Sequence, residues 1–560
     1  MLEEHETSAV ALQAGRFETP RKGAEPCSRL SFDAAGRPAR RAAAAAGALA
    51  LASGAAQAQA QTPRDAHAIL SQTCAACHAA ESKDSWSRIS HQRKTPEGWL
   101  MTIARMQTMH GLTISDDERR ILVKYLSDTQ GLAPSETKDF RYAPERRLNT
   151  QETVGNEEFK QMCARCHSAA RPLLQRRPVA EWDKLVNFHL GQWPSIEYSA
   201  MGRDRDWLKI ALTDIAPMLA KDYPYNSSAW TAWKQHHPPA TALAGTWSFG
   251  GHMPGKGDAY GTMTVKGGTG DRFDVELKGR FADGSPLVGT GTATLYTGYE
   301  WRASVKVGDT TMRQVLMASD GTLRGRMFDD AHDERGLDFN AAKHGSAQIV
   351  AVQPTYVKAG EETDVTIVGA NLQGTPAFGT GVTVASVLER TPEYVRVRVK
   401  AADGSASGAR RVSVGAAHAD GFAVYREIHD VKVEPDYAVA RIGGNGGSTP
   451  KVEGRFDAVA WGVDGAGKPF RIGVVPAQWS VTPFDDQSKG DRDTQFAGTM
   501  QASTGIFTPG NAGPNPARRM GTNNTGNLNV VATVTDGART VTGTGHMIVG
   551  VQRWNNPPLP

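Results

Sequence analysis

Two five-residue stretches carry the chemistry of this chain, Cys74-Ala75-Ala76-Cys77-His78 and Cys163-Ala164-Arg165-Cys166-His167. Both read Cys-x-x-Cys-His. Two thiols three positions apart on one turn can meet the two vinyl groups of one porphyrin edge, and the imidazole of the next residue then lies beneath the iron as its proximal ligand. This is the pattern of covalent c-type haem attachment, and it predicts two haems held by Cys74, Cys77, Cys163 and Cys166, with His78 and His167 on the irons. A thioredoxin-like redox pair would not need a histidine after both motifs. A four-cysteine zinc site would leave both histidines unexplained. With 5 cysteines and 15 histidines in 560 residues, one accidental match has a probability of roughly one in a thousand, so two by accident are negligible.

The sequences that follow the two motifs correspond to each other. Pro96-Glu97-Gly98-Trp99 and Val179-Ala180-Glu181-Trp182 each open a helix. Seven residues beyond Trp99 stands Met106, and seven beyond Trp182 stands His189. If the halves are an internal duplication, these side chains occupy equivalent places on the open side of each iron, giving one His/Met and one bis-His haem. Met106 competes with the reading of an ordinary core methionine, with Met101 and Met109 close by on the same helical stretch. His189 competes with the reading of a surface histidine; Met218 is its main rival on the second iron, and His91 is a weaker rival to Met106 on the first. Thioether ligation raises a haem's potential relative to a second imidazole, so electrons are expected to run from the second haem to the first.

These motifs need a helical carrier, and the surrounding chain supplies one. Thr95-Pro96 reads as a helix start with proline in the first turn, and Ser115-Asp116-Asp117-Glu118 reads as a capping box, with Gly131 as a stop. Seven of the twelve tryptophans fall between residues 61 and 240, which suggests large flat surfaces to be covered. Glycine then changes the picture: residues 1–242 hold 11 of the 59 glycines, and the rest punctuate short alternating β-branched runs, the mark of turn-rich β structure. The expected fold is multidomain, α then all-β. A leader spans 1–60, a helical dihaem cytochrome c domain 61–240, an antiparallel β-barrel 243–345, an immunoglobulin-like β-sandwich 346–428 and a second one 429–560. His236-His237-Pro238-Pro239 reads as the linker. Gly250 to Gly257 reads as a β turn rather than a phosphate loop, and Asp329 to Glu334 as a solvated acidic loop rather than a calcium site.

Within the leader, Arg40-Arg41, the alanine-rich run 42–52 and the repeat Ala56-Gln57-Ala58-Gln59-Ala60 have the charged, apolar and small-residue parts of a secretory signal, with cleavage expected near Ala58 or Ala60 and a periplasmic mature chain. Residues 1–39 are an unusual preface to such a signal and are expected to reflect a start codon placed too early. A formal net charge of +4 gives no field that would favour nucleic acid, and no apolar stretch beyond the leader is long enough to span a membrane. No substrate site stands out in the β region.

An exported dihaem helical domain followed by β domains resembles the α subunit of quinohemoprotein amine dehydrogenase. The stretches Ser87-Arg88-Ile89-Ser90, Pro96-Glu97-Gly98-Trp99, Arg105-Met106, Tyr125-Leu126-Ser127 and His189-Leu190-Gly191-Gln192-Trp193-Pro194 carry the resemblance, which spans nearly all of the mature chain. It implies a heterotrimer that oxidises primary amines to aldehydes and ammonia, with the quinone, cysteine tryptophylquinone, on a small γ subunit beside a β-propeller subunit. This chain would then hold no catalytic residue and would pass single electrons through its haems to a soluble copper protein or cytochrome c. Two other readings compete: a stand-alone dihaem carrier with β binding domains, and a dihaem peroxidase with one displaceable iron ligand.

Overall fold

The computed structural model describes residues 64–197, 203–445 and 449–551. The leader, with its expected export signal and cleavage site, lies outside them. Helices and strands of two or three residues occupy the chain to Gln235, and β structure takes over from Gly245.

The helical region is two small cores side by side. In the first, Ala66, Ile69 and Leu70 of helix Ala66–Gln72 pack with Trp86, Trp99 and Ile103 and with Leu122, Val123 and Leu126 of helix Asp116–Thr129. The second joins Phe159 and Met162 of helix Glu157–Cys163 to Trp182, Trp207, Ile215 and Leu219. The helix starts follow their sequence signals. Thr95 caps helix Pro96–His110 by accepting the Gly98 amide, and Ser115 and Glu118 form a reciprocal capping box.

Eight consecutive antiparallel strands, from Gly245–Met253 to Gly336–Lys343, close into a barrel when the last pairs with the first. Strand Arg272–Phe281 shows the alternation that closure requires: Phe273, Val275 and Leu277 point inward, while Asp274 and Lys278 face out. The interior is filled by side chains such as Trp247, Phe249, Trp301, Leu316 and Phe339. Gln314 is buried there too, accepting the Trp301 indole N–H at 3.0 Å. A filled barrel is scaffold rather than a ligand chamber.

Residues 348–425 form a sandwich of two four-stranded sheets around Val365, Ile367, Val397, Val412 and Val424. Residues 430–550 build a further β domain from one four-stranded and two three-stranded sheets over a shared core that includes Phe456, Trp479, Phe507 and Val530. That is one sheet more than a plain sandwich, because the glycine- and asparagine-rich stretch around residue 505 contributes short strands of its own.

The turn Tyr296–Tyr299 of the barrel fastens it to the helical region. Thr297 donates its amide to Asp128 at 2.7 Å and its hydroxyl to the Ser127 carbonyl at 3.0 Å. Trp233 donates its indole N–H to the Thr297 carbonyl at 2.7 Å, and Tyr299 reaches the Leu132 carbonyl at 3.1 Å. Gly298 has a φ of +74°, and a Cβ there would meet the His237 ring at 2.6 Å, so only glycine fits this turn. A buried ion pair, Arg141 with Glu300, and a half-buried one, Arg302 with Glu97, flank it.

Candidate haem sites

Each Cys-x-x-Cys-His stretch follows a helix that runs into it. Helix Ala66–Gln72, capped by Asp65, leads to a single 3-10 turn, Cys74–Ala76, and helix Glu157–Cys163, capped by Asn156, ends on its first motif cysteine. The first thiol of each motif packs against its core, and the second, Cys77 or Cys166, is exposed. All four are free thiols. Burial pushes the Cys163 thiol up to about 12 and raises Cys74 as well.

Both motif histidines are oriented in the same way. His78 donates from Nδ1 to the Ser87 carbonyl at 2.9 Å, and His167 donates from Nδ1 to the Ser168 carbonyl at 3.0 Å. A backbone acceptor on Nδ1 fixes the tautomer and leaves Nε2 with its lone pair for a metal.

Helices Pro96–His110 and Val179–Gln192 supply the other side. Met106 and His189 each continue the face on which Trp99 and Trp182 are buried, two turns on, and each is only half-buried where the tryptophans are covered. The His189 ring faces that of His167 with centroids 6.4 Å apart and planes at 80°. A metal held by two imidazoles at about 2 Å each puts the ring centroids roughly 6 Å apart. Burial, then the nearby His167, Arg171 and Arg105, pull the His189 imidazole down to about 4, so it is neutral and free to ligate. Met218 packs against the same core. His91 is engaged elsewhere, in an exposed pair with Glu81 at 2.7 Å. In the second half the indole N–H groups of Trp182 and Trp207 and the Arg205 Nε are buried without a partner; such donors suit the carboxylates of a haem. The residues therefore fit the group: four free thiols, two histidines presenting Nε2, and one further histidine at bis-imidazole spacing.

Between the halves lies an arrangement that the motif spacing did not reveal. Strands Arg93–Lys94 and Gln175–Arg176 pair antiparallel with Arg93 opposite Arg176. Arg93 lies six residues before Trp99, and Arg176 six before Trp182. Equivalent residues of the duplication thus meet across a local two-fold axis. Glu136 sits on that axis, taking both Nη groups of Arg93 at 2.9 Å and the Nε of Arg176 at 3.2 Å. Burial would raise its carboxyl, but Arg93, the Ala133 amide and Arg176 hold it at about 2. A signal for this pairing exists in the sequence: Arg93-Lys94 and Arg176-Arg177 stand at the same distance from the two tryptophans.

The smaller features are structural. Gly250 to Gly257 is strand and turn, and the acidic loop binds Arg313 through Asp330 and Arg146 through Asp333. Among the described residues no helix is long and apolar enough to cross a membrane.

Four domain families match the chain from residue 64 to residue 559 with short gaps between them. Residues 64–230 match quinohemoprotein amine dehydrogenase A, alpha subunit, haem binding; residues 240–344, 346–426 and 431–559 match domains II, III and IV of the same alpha subunit. No curated protein matches. Similar solved structures include a de novo designed fluorescence-activating β-barrel, at 22% identity and a TM-score of 0.17 over 19% of this chain and 96% of that one. Another is Drosophila N-cadherin EC1-3, at 11% identity and a TM-score of 0.19 over 51% of this chain and 91% of that one.

Proposed function

Because the chain belongs to the quinohemoprotein amine dehydrogenase α-subunit family, we propose that it is the dihaem electron-transfer subunit of a periplasmic amine-oxidising heterotrimer. Its partners are a β-propeller subunit and a small γ subunit bearing cysteine tryptophylquinone. Haem, when bound, supplies a one-electron carrier at each iron. Cys74 and Cys77 would tether the first and Cys163 and Cys166 the second, with His78 and His167 as proximal ligands and Met106 and His189 as the further ligands to the irons. Because a thioether favours the reduced iron, Met106 makes the first site the downhill end, next to the soluble copper protein or cytochrome that accepts the electron. The barrel and sandwiches offer scaffold surface to the partner subunits and take no part in bond breaking.

One observation carries the reading: the Cys-x-x-Cys-His motif occurs twice on paired halves, each histidine locked through Nδ1 with Nε2 left open. Intact-mass analysis of the exported chain is expected to show two haem adducts on a polypeptide cleaved near Ala58 or Ala60. Anaerobic addition of a primary amine to the complex is expected to reduce both haems. A chain of bare polypeptide mass, or haems that an amine never reduces in the presence of a quinone-bearing partner, would sink it.

A further inference from the structure

Five cations gather where the two halves of the helical region meet. Lys94 and Arg177 are each 4% exposed, and Arg88, Arg105 and Arg171 stand close enough that their charges act on Lys94. They fall on the duplication: Lys94 and Arg177 lie five residues before Trp99 and Trp182, and Arg88 and Arg171 lie eleven before them. Each buried cation also rests on its own tryptophan, Lys94 at 5.2 Å from the Trp99 ring and Arg177 at 5.6 Å from that of Trp182.

Four of these five cations have no carboxylate bonded to them. Lys94 donates to the Thr102 hydroxyl at 2.6 Å, Arg177 donates to the amide oxygens of Gln92 and Gln175, Arg171 reaches the Met101 sulfur, and Arg105 lies over the Phe188 ring. Among the described residues no carboxylate bonds any of these four. Glu181 is bonded by Arg88 and Lys184, and its charge also acts on Arg177 without a direct bond. A guanidinium cannot shed its proton, and a buried cation without a counter-charge is costly. Burial, with the surrounding guanidiniums, pushes Lys94 well below its ordinary value. A seam of this kind is stabilised when something negative enters it.

We infer that this seam seats the propionate carboxylates of the two haems, Lys94 serving the first and Arg177 the second, with Arg105 and Arg171 at its rim. The inference rests on the dihaem reading above. It goes further by giving the seam an electrochemical role, since fixed positive charge beside a haem favours the electron-loaded iron and raises its potential.

The test uses the mature complex with both haems verified by intact mass, so absence of haem would overturn the functional reading before any variant is made. In spectroelectrochemical titrations, Lys94→Met and Arg177→Gln are each expected to lower one of the two midpoints. A tenfold shift in the one-electron equilibrium corresponds to about 59 mV. Lys94→Arg and Arg177→Lys should keep the native values. Resonance Raman should show the haem propionate bending band displaced in the charge-removing pair alone, a change that mere loosening of the fold would not produce. Arg105→Gln removes a half-buried cation without opening the core and gives the same readout should Lys94→Met fail to mature. Midpoints and propionate band that stay in place in the dihaem variants would overturn the inference. So would midpoints that respond to added phosphate at matched ionic strength, because the seam would then hold a free oxyanion.

Discussion

The two halves of the helical region use one plan and finish it differently. Each has a helix running into Cys-x-x-Cys-His, a histidine whose Nδ1 is tied to a backbone carbonyl, a cation over a tryptophan, and a second helix carrying a candidate ligand two turns past that tryptophan. In the first half the helix is capped by a threonine side chain, and the Trp99 indole donates to the Gln130 carbonyl at 3.1 Å. In the second half Pro178 caps nothing with its side chain, and the Trp182 indole has no partner in the protein. The first half is closed upon itself, whereas the second keeps polar groups in reserve. A duplicated scaffold can thus place two like motifs in unlike settings.

Substitution at the shared axis would disturb both halves at once and most deeply. Glu136→Gln leaves Arg93 and Arg176 buried without a counter-charge and is expected to cost about 3 kcal/mol or more at pH 7. The sign follows from the carboxyl: held at about 2 when folded against 4.5 as a free side chain, it contributes stability that is complete above about pH 5 and is lost as the pH falls from 4.5 towards 2. Urea denaturation of the native protein and the variant should therefore show a gap at about pH 7 that narrows by about pH 3. A gap that stays constant with pH would remove Glu136 from its place as the ionic keystone.

Exchanging the two distal residues would invert the difference between the halves. Met106→His is expected to lower the first midpoint by on the order of 0.1 V, worth about 2 kcal/mol, and His189→Met to raise the second by a similar amount. A redox titration in which Met106→His moves neither midpoint would show that this methionine is not a ligand. A smaller effect separates the tryptophans. Trp99→Phe loses a hydrogen bond that Trp182→Phe does not, so in haem-free protein it should cost about 1 kcal/mol more by denaturant titration. Smallest is the cap: Thr95→Ala should lower stability by about 0.5–1 kcal/mol, with no counterpart at Pro178.

Local signals made a good part of this legible. Thr95-Pro96 and the Ser115/Glu118 box mark helix starts because caps are satisfied by neighbours three residues away. Alternation in Phe273-Asp274-Val275-Glu276-Leu277 marks a strand buried on one face. The eight-strand closure needed the pairing of Gly336–Lys343 with Gly245–Met253, a contact between segments that carry no mark of each other. The extra sheet of the last domain was hidden for the same reason, since two- to four-residue strands lack a readable period.

Where the two Cys-x-x-Cys-His turns lie was already decided along the chain, because thiol and imidazole spacing is a property of a single turn. The matching position of Met106 and His189, seven residues past Trp99 and Trp182, was set there too, because equal distances along two helices give equal faces. It took the folded arrangement to bring the His189 ring opposite His167, to join Arg93 to Arg176 across Glu136, and to set Lys94 and Arg177 in one seam. Charge pairing and desolvation depend on which distant segments exclude water together, and neither is written in the spacing of residues along the chain.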